Sequence, residues 1–466
     1  MALLALELND ACLVLARGAG QGEWLADSEG YALLDGDTIL TGEAARSRAR
    51  LRPLYAYNRF WRDIGTGDLP RTNARAQSPA DLAFAHLDDL LASHRMPGDE
   101  LLLALPAGFT REQLGLLLGV ANECGVQVSG LVDAAVAATA LEPAGERVLH
   151  LDLELHHAVL TLLERGGAEL RRTQSELLPR HGLLALQEKW VEAIAGAFVR
   201  RTRFDPLHEA RNEQVLWNSL AGWLAALEVN ESLESALTDG EDERTVELTR
   251  ESLLGATRER YAALCHFVQN QCPAGVQTDV VVTDRVARAP GLMDALATVP
   301  TVTVRSLPHG AAALATLRYA EQIRRAAGQV ALVTRLATGH VPPDVDRPAI
   351  VAPTVSPAER PTHVVFGGRA LPISAAPLAI GSALSAARRA LQVPAGPGIS
   401  REHCQVVRRD GYAWLEDRST YGTFVNESPV RGAVALRVGD RVRLGNPGIT
   451  LELIQVVDDD GTPTQL

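Results

Sequence analysis

The chain has 466 residues, 46% of them hydrophobic and 22% charged, with a formal net charge of −12. That length exceeds one ordinary core and implies two or three domains, and the composition is that of a globular protein with little disorder outside linkers. The acidic balance argues against a nucleic-acid binder, because phosphate backbones attract basic surfaces, and no apolar run reaches the length of a membrane span.

The N-terminus, MALLALELND, has no basic leader and meets acid early. It reads as a strand rather than a signal peptide, and the protein is expected in the cytoplasm. Cys12, Cys124, Cys265, Cys272 and Cys404 fit neither a zinc spacing nor a disulfide framework and are expected to be buried free thiols. Lys189 is the only lysine among abundant arginines, a bias that suggests a GC-rich bacterial genome.

In chain order, residues 3–16 predict a strand that turns at Asn9-Asp10 and resumes, and residues 31–41 a short strand pair. Residues 42–50 predict a helix, followed by an aromatic knot of Tyr55, Tyr57, Phe60 and Trp61. Helices over 81–94 and 111–125 flank a buried strand at 101–106, and a strand at 126–132 leads into a small-residue helix at 134–140. Residues 147–163 read as a hairpin, and 183–201 and 213–227 as long helices. The acidic run 239–243 reads as a loop connecting helices, and 246–268 as a helical stretch. No internal repeat stands out. Prolines at 342, 343, 348, 353, 357 and 361 mark an extended linker. The predicted divisions are 1–335, a linker at 336–361, a β-sandwich at 362–457 and a tail at 458–466.

Residues 399–426 read ISREHCQVVRRDGYAWLEDRSTYGTFVN, short apolar runs cut by turn residues, as in antiparallel strands joined by tight loops. The order Gly381, Ser400-x-x-His403, Thr420-x-Gly422-Thr423-x-x-Asn426, Gly439-Asp440 and Leu444-Gly445 resembles a forkhead-associated (FHA) domain, the family that binds phosphothreonine peptides. A phosphate needs hydroxyls, backbone N–H groups and guanidinium donors converging from loops. The resemblance implies that Ser400, Arg401 and Thr420 supply them, with Tyr421 and Gly422 in the same loop, while Gly381, His403 and Asn426 hold the loops in shape. Two positions depart from the family. The arginine expected after Gly381 is Ser382, and the asparagine expected before Gly422 is Tyr421. A hydrogen bond to a charged group contributes roughly 1.5–3 kcal/mol, so losing that arginine weakens phosphopeptide binding on the order of ten- to a hundredfold unless Arg388 or Arg389 replaces it. The implied partner is a protein bearing phosphothreonine; the alternative is a sandwich that docks an unphosphorylated partner.

Residues 103–140 carry a strand ending in Pro106-Ala107, a helix, a glycine-containing strand and an Ala-rich helix led by Asp133. With 39–45 (ILTGEAA), 279–297 and 307–312, they resemble the nucleotide-binding domain of the seventy-kilodalton heat-shock chaperones in the actin and sugar-kinase superfamily. The resemblance implies an α/β two-lobed actin-like ATPase fold over roughly residues 1–330, followed by the all-β FHA sandwich. It also implies ATP held by glycine-rich hairpins, with acids placing Mg²⁺. The hairpin motifs are altered. Glu7-Leu8-Asn9-Asp10-Ala11 stands for Asp-Leu-Gly-Thr-Thr, Asp152-Leu153-Glu154-Leu155-His156-His157 for Asp-Leu-Gly-Gly-Gly-Thr, and residues 283–290 lack the glycines of the adenosine loop. The chaperone lysine has no counterpart among residues 52–62. A pseudo-ATPase is therefore expected, with no catalytic residue, metal or cofactor and a vestigial site at Glu7, Asp10, Asp152 and Arg285. The alternative is a divergent enzyme using ATP and Mg²⁺ through Glu7 and Asp152, with Arg285 or Arg288 on the nucleotide. His156-His157 is a poor chelate, since adjacent strand residues face opposite ways. The expected function is a non-enzymatic adaptor without client-folding activity; in the alternative, nucleotide state gates the sandwich.

Overall fold

Short apolar runs cut by polar turns build a meander of β1 (Leu3–Glu7), β2 (Leu13–Arg17) and β3 (Glu23–Ser28). Two runs suited to strands covered on both faces follow, β4 (Glu100–Leu105) and β5 (Gln127–Asp133). The same succession recurs as a meander of β6 (Arg147–Leu153), β7 (His157–Gly166) and β8 (Glu169–Pro179), then β9 (Thr278–Val282) and β10 (Val302–Ser306). Two short strands, β11 (Leu332–Val333) and β12 (Arg335–Ala337), complete the sheets. The strand orders are β11-β5-β4-β1-β2-β3 and β10-β9-β6-β7-β8-β12. Leu6 lies opposite Leu15 on the antiparallel side and Leu103 on the parallel side, and Leu151 is placed in the same way between Leu160 and Val282. Five strands of each sheet thus share one topology, while the short sixth strand joins opposite edges, β11 beside β5 and β12 beside β8.

This computed structural model describes residues 2–18, 22–141, 145–239, 242–273, 275–325, 331–338, 360–366, 369–374, 376–384, 389–396, 398–409, 412–419, 422–426, 428–430, 433–445 and 448–455. It divides into units at 1–343 and 344–466.

In the first unit, α1 (Pro79–Ala92) and α2 (Arg111–Glu123) each begin with a capping box, Ser78 with Asp81 and Thr110 with Gln113. They pack Leu82, Leu87 and Leu117 onto Leu4, Leu6 and Leu103 of the first sheet. The second sheet is covered by α4 (Leu183–Thr202), α5 (Ala210–Val229) and α6 (Arg250–Gln269), which follow the short α3 (Ala134–Thr139). Trp190, Phe198 and Leu264 pack there against Leu149, Leu151 and Leu160. After α7 (Asp284–Ala287) comes α8 (Ala311–Arg318), which with α3 forms a central layer. Their alanines join Ala5 and Ala104 of one sheet to Val148 and Val281 of the other in a single buried cluster, the short side chains allowing close approach.

Three expectations are corrected. Residues 232–249 form a β-hairpin, Ser232–Asp239 with Asp242–Thr249, where a charged loop and the start of a helix were predicted. Val246 and Leu248 are buried at a period of two, as are Ser235 and Leu237 on the other strand, with Val246 opposite Ser235, and α6 begins only at Arg250, capped by Thr249. The helix predicted over 42–50 spans Gly42–Arg46. The first unit also continues past residue 335, since β12 pairs with β8 and the Thr338 N–H donates to the Ala168 carbonyl at 2.7 Å. The remaining linker calls, at 339–359, and the tail fall outside the described residues.

The second unit contains β13 (His363–Phe366), β14 (Arg369–Pro372), β15 (Leu378–Gly381), β16 (Ala390–Gln392), β17 (Cys404–Arg409) and β18 (Tyr412–Asp417). It ends with β19 (Thr423–Val425), β20 (Ser428–Pro429), β21 (Ala433–Ala435), β22 (Arg441–Leu444) and β23 (Ile449–Ile454). The sheets β14-β13-β23-β22-β19-β20 and β16-β15-β17-β18-β21 enclose one core, in which Val364, Val442 and Leu451 meet Ile380, Val406 and Leu415. All five cysteines are free; Cys124 and Cys404 are buried and the other three partly so. Among the described residues no helix is long and apolar enough to cross a membrane.

Trp190 anchors α4 with 1% of its surface exposed. Trp190→Ala is expected to destabilise the first unit by about 3–5 kcal/mol, read as a lowered urea midpoint for that unit.

Candidate functional site

Two places gather polar residues with defined geometry. The first is a rim where the loops of the sandwich converge. At the end of β15, Gly381 lies so close to the chain leading into β17 that a Cβ would sit 1.9 Å from the Arg401 carbonyl oxygen, so only glycine fits. The backbone N–H groups of Ser382 and Ala383 donate to the carbonyls of Ser400 and Arg401 at 3.1 and 3.2 Å, and the Ser382 hydroxyl also donates to Ser400. His403 is fully buried. Its Nδ1 accepts the Ser400 N–H at 3.0 Å, so the ring proton belongs on Nε2, which donates to the Gly422 carbonyl at 3.2 Å. Burial lowers its pKa and keeps the ring neutral. Gly422, at φ 80°, offers the same carbonyl to the Gly445 N–H at 3.1 Å.

Asp417 braces the stretch that follows β18, its Oδ1 accepting from the Ser419 N–H, the Ser419 hydroxyl and the Thr423 hydroxyl at 3.0, 2.7 and 2.6 Å. Asn426 donates to Asp440 at 2.7 Å and accepts the Arg441 N–H at 3.0 Å. Arg401 is exposed beside Ser400. The rim therefore brings together Ser400, Arg401, Gly422, Gly381 and His403, with Asn426 bracing the next turn. Thr420, Tyr421 and Arg388 lie outside the described residues. Arg389 does not reach the rim. Because β16 runs parallel to β15, residue 389 falls beside the start of β15, where its guanidinium donates to Ser374 and to the carbonyls of Pro372 and Ala376. Asp417 was missed in the sequence, although Asp417-x-Ser419 carries the spacing of an Asx-turn, and Ser382 was read only as a departure from the family.

The second place is the seam between the two sheets of the first unit. Asn9 donates through Nδ2 to Asp152 at 3.0 Å and to the Leu153 carbonyl at 3.3 Å, while its Oδ1 accepts the Ala11 N–H at 2.8 Å. Asp10 accepts the Leu155 N–H at 2.7 Å. Arg285 of α7 reaches across: Nη2 lies 2.6 Å from Glu7 Oε1 and 3.0 Å from Asp152 Oδ2, and Nε lies 3.1 Å from Asp152 Oδ1. The Thr283 hydroxyl adds a bond to Asp152 at 2.6 Å. All four residues are buried. Burial opposes ionisation of Asp152, but the Arg285 guanidinium outweighs it and holds the carboxyl below its ordinary value.

Next to this lock, Arg62 lies 3.7 Å from Glu154 and donates to the Ala107 carbonyl at 3.2 Å. Burial, aided by Asp10, pushes Glu154 up to about 8, and burial pushes Asp10 up to about 6. Further along the seam, His309 sits between Asp27 of β3 at 3.3 Å and Asp284 of α7 at 2.8 Å, and these two carboxylates raise it to about 9. Of the predicted residues, Glu7, Asp152 and Arg285 meet directly, and Asp10 lies one hairpin away. Arg288 pairs with Asp284. His156 is turned to the Asn58 carbonyl at 3.1 Å, and no group of three candidate metal ligands occurs among the described residues. Arg62 was missed because the sequence was searched for a lysine.

The second unit is thus a two-sheet sandwich whose loops are locked at one edge beside a partly buried Ser400 and an exposed Arg401. The FHA domain family matches residues 378–445, and the chain therefore contains an FHA domain. Comparison with curated proteins gives no match to the chain.

Two expected outcomes follow from this geometry. Gly381→Ala places a methyl group against the Arg401 carbonyl and is expected to cost about 1–3 kcal/mol, with loss of hydrogen-exchange protection at the Ser382 amide as its local signature. In the seam, the ordinary Glu154 value of 4.5 rises to about 8 on folding, so the folded state holds the extra proton and stability falls as pH rises through that window. Asp10 acts in the same direction from 3.8 to about 6, and His309 from 6.5 to about 9. Glu154→Gln mimics the protonated carboxyl and is expected to flatten the decline of the first unit's Tm between pH 5 and 8; an unchanged slope assigns the titration to other groups.

Proposed function

We propose that the chain is a non-enzymatic adaptor whose FHA domain docks a phosphothreonine-bearing protein partner, while the first unit serves as an interaction platform built on a degenerate actin-like, heat-shock-chaperone-type domain. The observation that carries the docking role is the rim itself. Gly381, His403 and Gly422 hold Ser400 and Arg401 at one edge of the sandwich, where a hydroxyl, backbone N–H groups and a guanidinium suit a phosphate.

Two observations support the reading of the first unit. Its sheets repeat one topology on either side of a small-residue helical layer, as a two-lobed fold of that superfamily requires. The hairpins that would cradle phosphates are instead occupied by the chain: Asp10 takes the Leu155 N–H, and Arg285 neutralises both acids that would place Mg²⁺. A nucleotide would have to displace a guanidinium from two buried carboxylates. Removing one partner of such a buried pair costs about 3–5 kcal/mol.

Fluorescence anisotropy with phosphothreonine peptide pools and their unphosphorylated counterparts tests the docking role. Binding is expected only with the phosphate, and Arg401→Ala or Ser400→Ala should weaken it about tenfold or more. Equal binding of both pools instead favours an unphosphorylated partner. In calorimetry, ATP with Mg²⁺ is expected to give no saturable heat; binding that Asp152→Asn abolishes would establish the divergent ATPase.

A further inference from the structure

Between residues 360 and 455 the sequence carries 12 arginines and no lysine against seven aspartates and glutamates, so the sandwich is basic within an acidic chain. Several of these cations are anchored elsewhere. Arg389 is bound at the start of β15, Arg408 donates to the carbonyls of Ile373 and Pro361 at 3.2 and 2.8 Å, and Arg409 pairs with Glu416 at 2.6 Å. Three others stand at the rim on three separate segments.

Arg401 follows Ser400 and is exposed. Arg418 is positioned by its backbone N–H, which donates to the His403 carbonyl at 2.9 Å, and its side chain meets Glu402 at 2.7 Å. With side chains 48% and 41% exposed, that pair is screened by solvent and can exchange for a peptide carboxylate. Arg443 lies 4.1 Å from the centre of the Phe424 ring, and its Nη1 donates to the Gly445 carbonyl at 2.6 Å. The Gly445 N–H donates to the Gly422 carbonyl, the same oxygen that His403 holds. Arg443 is thus fixed beside the Gly422 turn, and a planar guanidinium already oriented loses less freedom on meeting a carboxylate.

We propose that this rim selects phosphothreonine peptides with aspartate or glutamate in the positions flanking the phosphothreonine, Arg418 and Arg443 being the specificity-determining cations. This rests on the phosphothreonine reading of the same rim. Charge of this kind acts on encounter rate and partner choice, so the preference should weaken as salt rises.

The test titrates the full-length protein into three fluorescein-labelled degenerate peptide pools with a fixed central threonine. One is phosphorylated with Asp/Glu-enriched flanks, one phosphorylated with Ala/Gln/Ser flanks, and one acidic but unphosphorylated. The acidic phosphorylated pool is expected to bind about tenfold more tightly than the neutral one. Arg443→Gln and Arg418→Gln should each reduce that ratio several-fold. If Arg443→Gln lowers the sandwich's Tm, Arg443→Lys and Arg418→Gln carry the comparison. Equal binding of the two phosphorylated pools overturns the proposal and leaves the phosphothreonine reading intact. Binding of neither phosphorylated pool overturns both. Equal binding of the acidic pool with and without phosphate also overturns it, because the rim is then a cationic surface that does not read phosphothreonine.

Discussion

A single guanidinium closes the seam of the first unit. Two carboxylates, Glu7 at the end of β1 and Asp152 near the end of β6, face each other from different sheets in a site nearly closed to water. Without a cation between them, two buried like charges would repel and at least one would take up a proton. Arg285 supplies that cation from α7, so the sheets are joined by charge in the place where the hairpins turn. Asn9 and Asp10 complete the closure by taking up Asp152 and the Leu155 N–H from the opposite hairpin. The surrounding packing is apolar and alanine-rich.

The sandwich uses the opposite device. Its loops are held by steric exclusion and backbone hydrogen bonds: no side chain fits at Gly381, His403 bridges two loops as a neutral ring, and Gly422 receives two donors on one carbonyl. Charge is kept at the edge, on arginines that stand exposed or half-exposed. The seam of the first unit engages its buried cation with internal carboxylates, while the rim of the second unit carries arginines at its edge. That contrast explains how a chain of net charge −12 can carry a module suited to an anionic ligand.

Much of this was legible from the residues because the strands are short, apolar and cleanly bounded, and because the rim glycines and His403 are irreplaceable where they stand. The hairpin at 232–249 was misread because its buried face includes the polar Ser235 and its outer face the apolar Ala236, a weak period-two signal next to a strong helix beginning at Arg250. Arg389 was misplaced for a topological reason. Its separation from Gly381 in sequence does not reveal that β16 runs parallel to β15 and carries it to the far end of that strand. The Arg285 lock was the least visible feature, since its partners lie 278 and 133 residues away. The residues were grouped as one vestigial site through the family resemblance, but that Arg285 pairs with both acids is visible only in the fold.

The common topology of the two sheets also says where symmetry ends. Matching Leu6 with Leu151 places Glu7 on Asp152, and matching Leu103 with Val282 places Pro106 on Arg285. The paired acids are therefore equivalent members of two copies of one architectural unit, as they would be had an ancestral half been duplicated and fused. The cation that reconciles them is present once, one guanidinium serving both carboxylates.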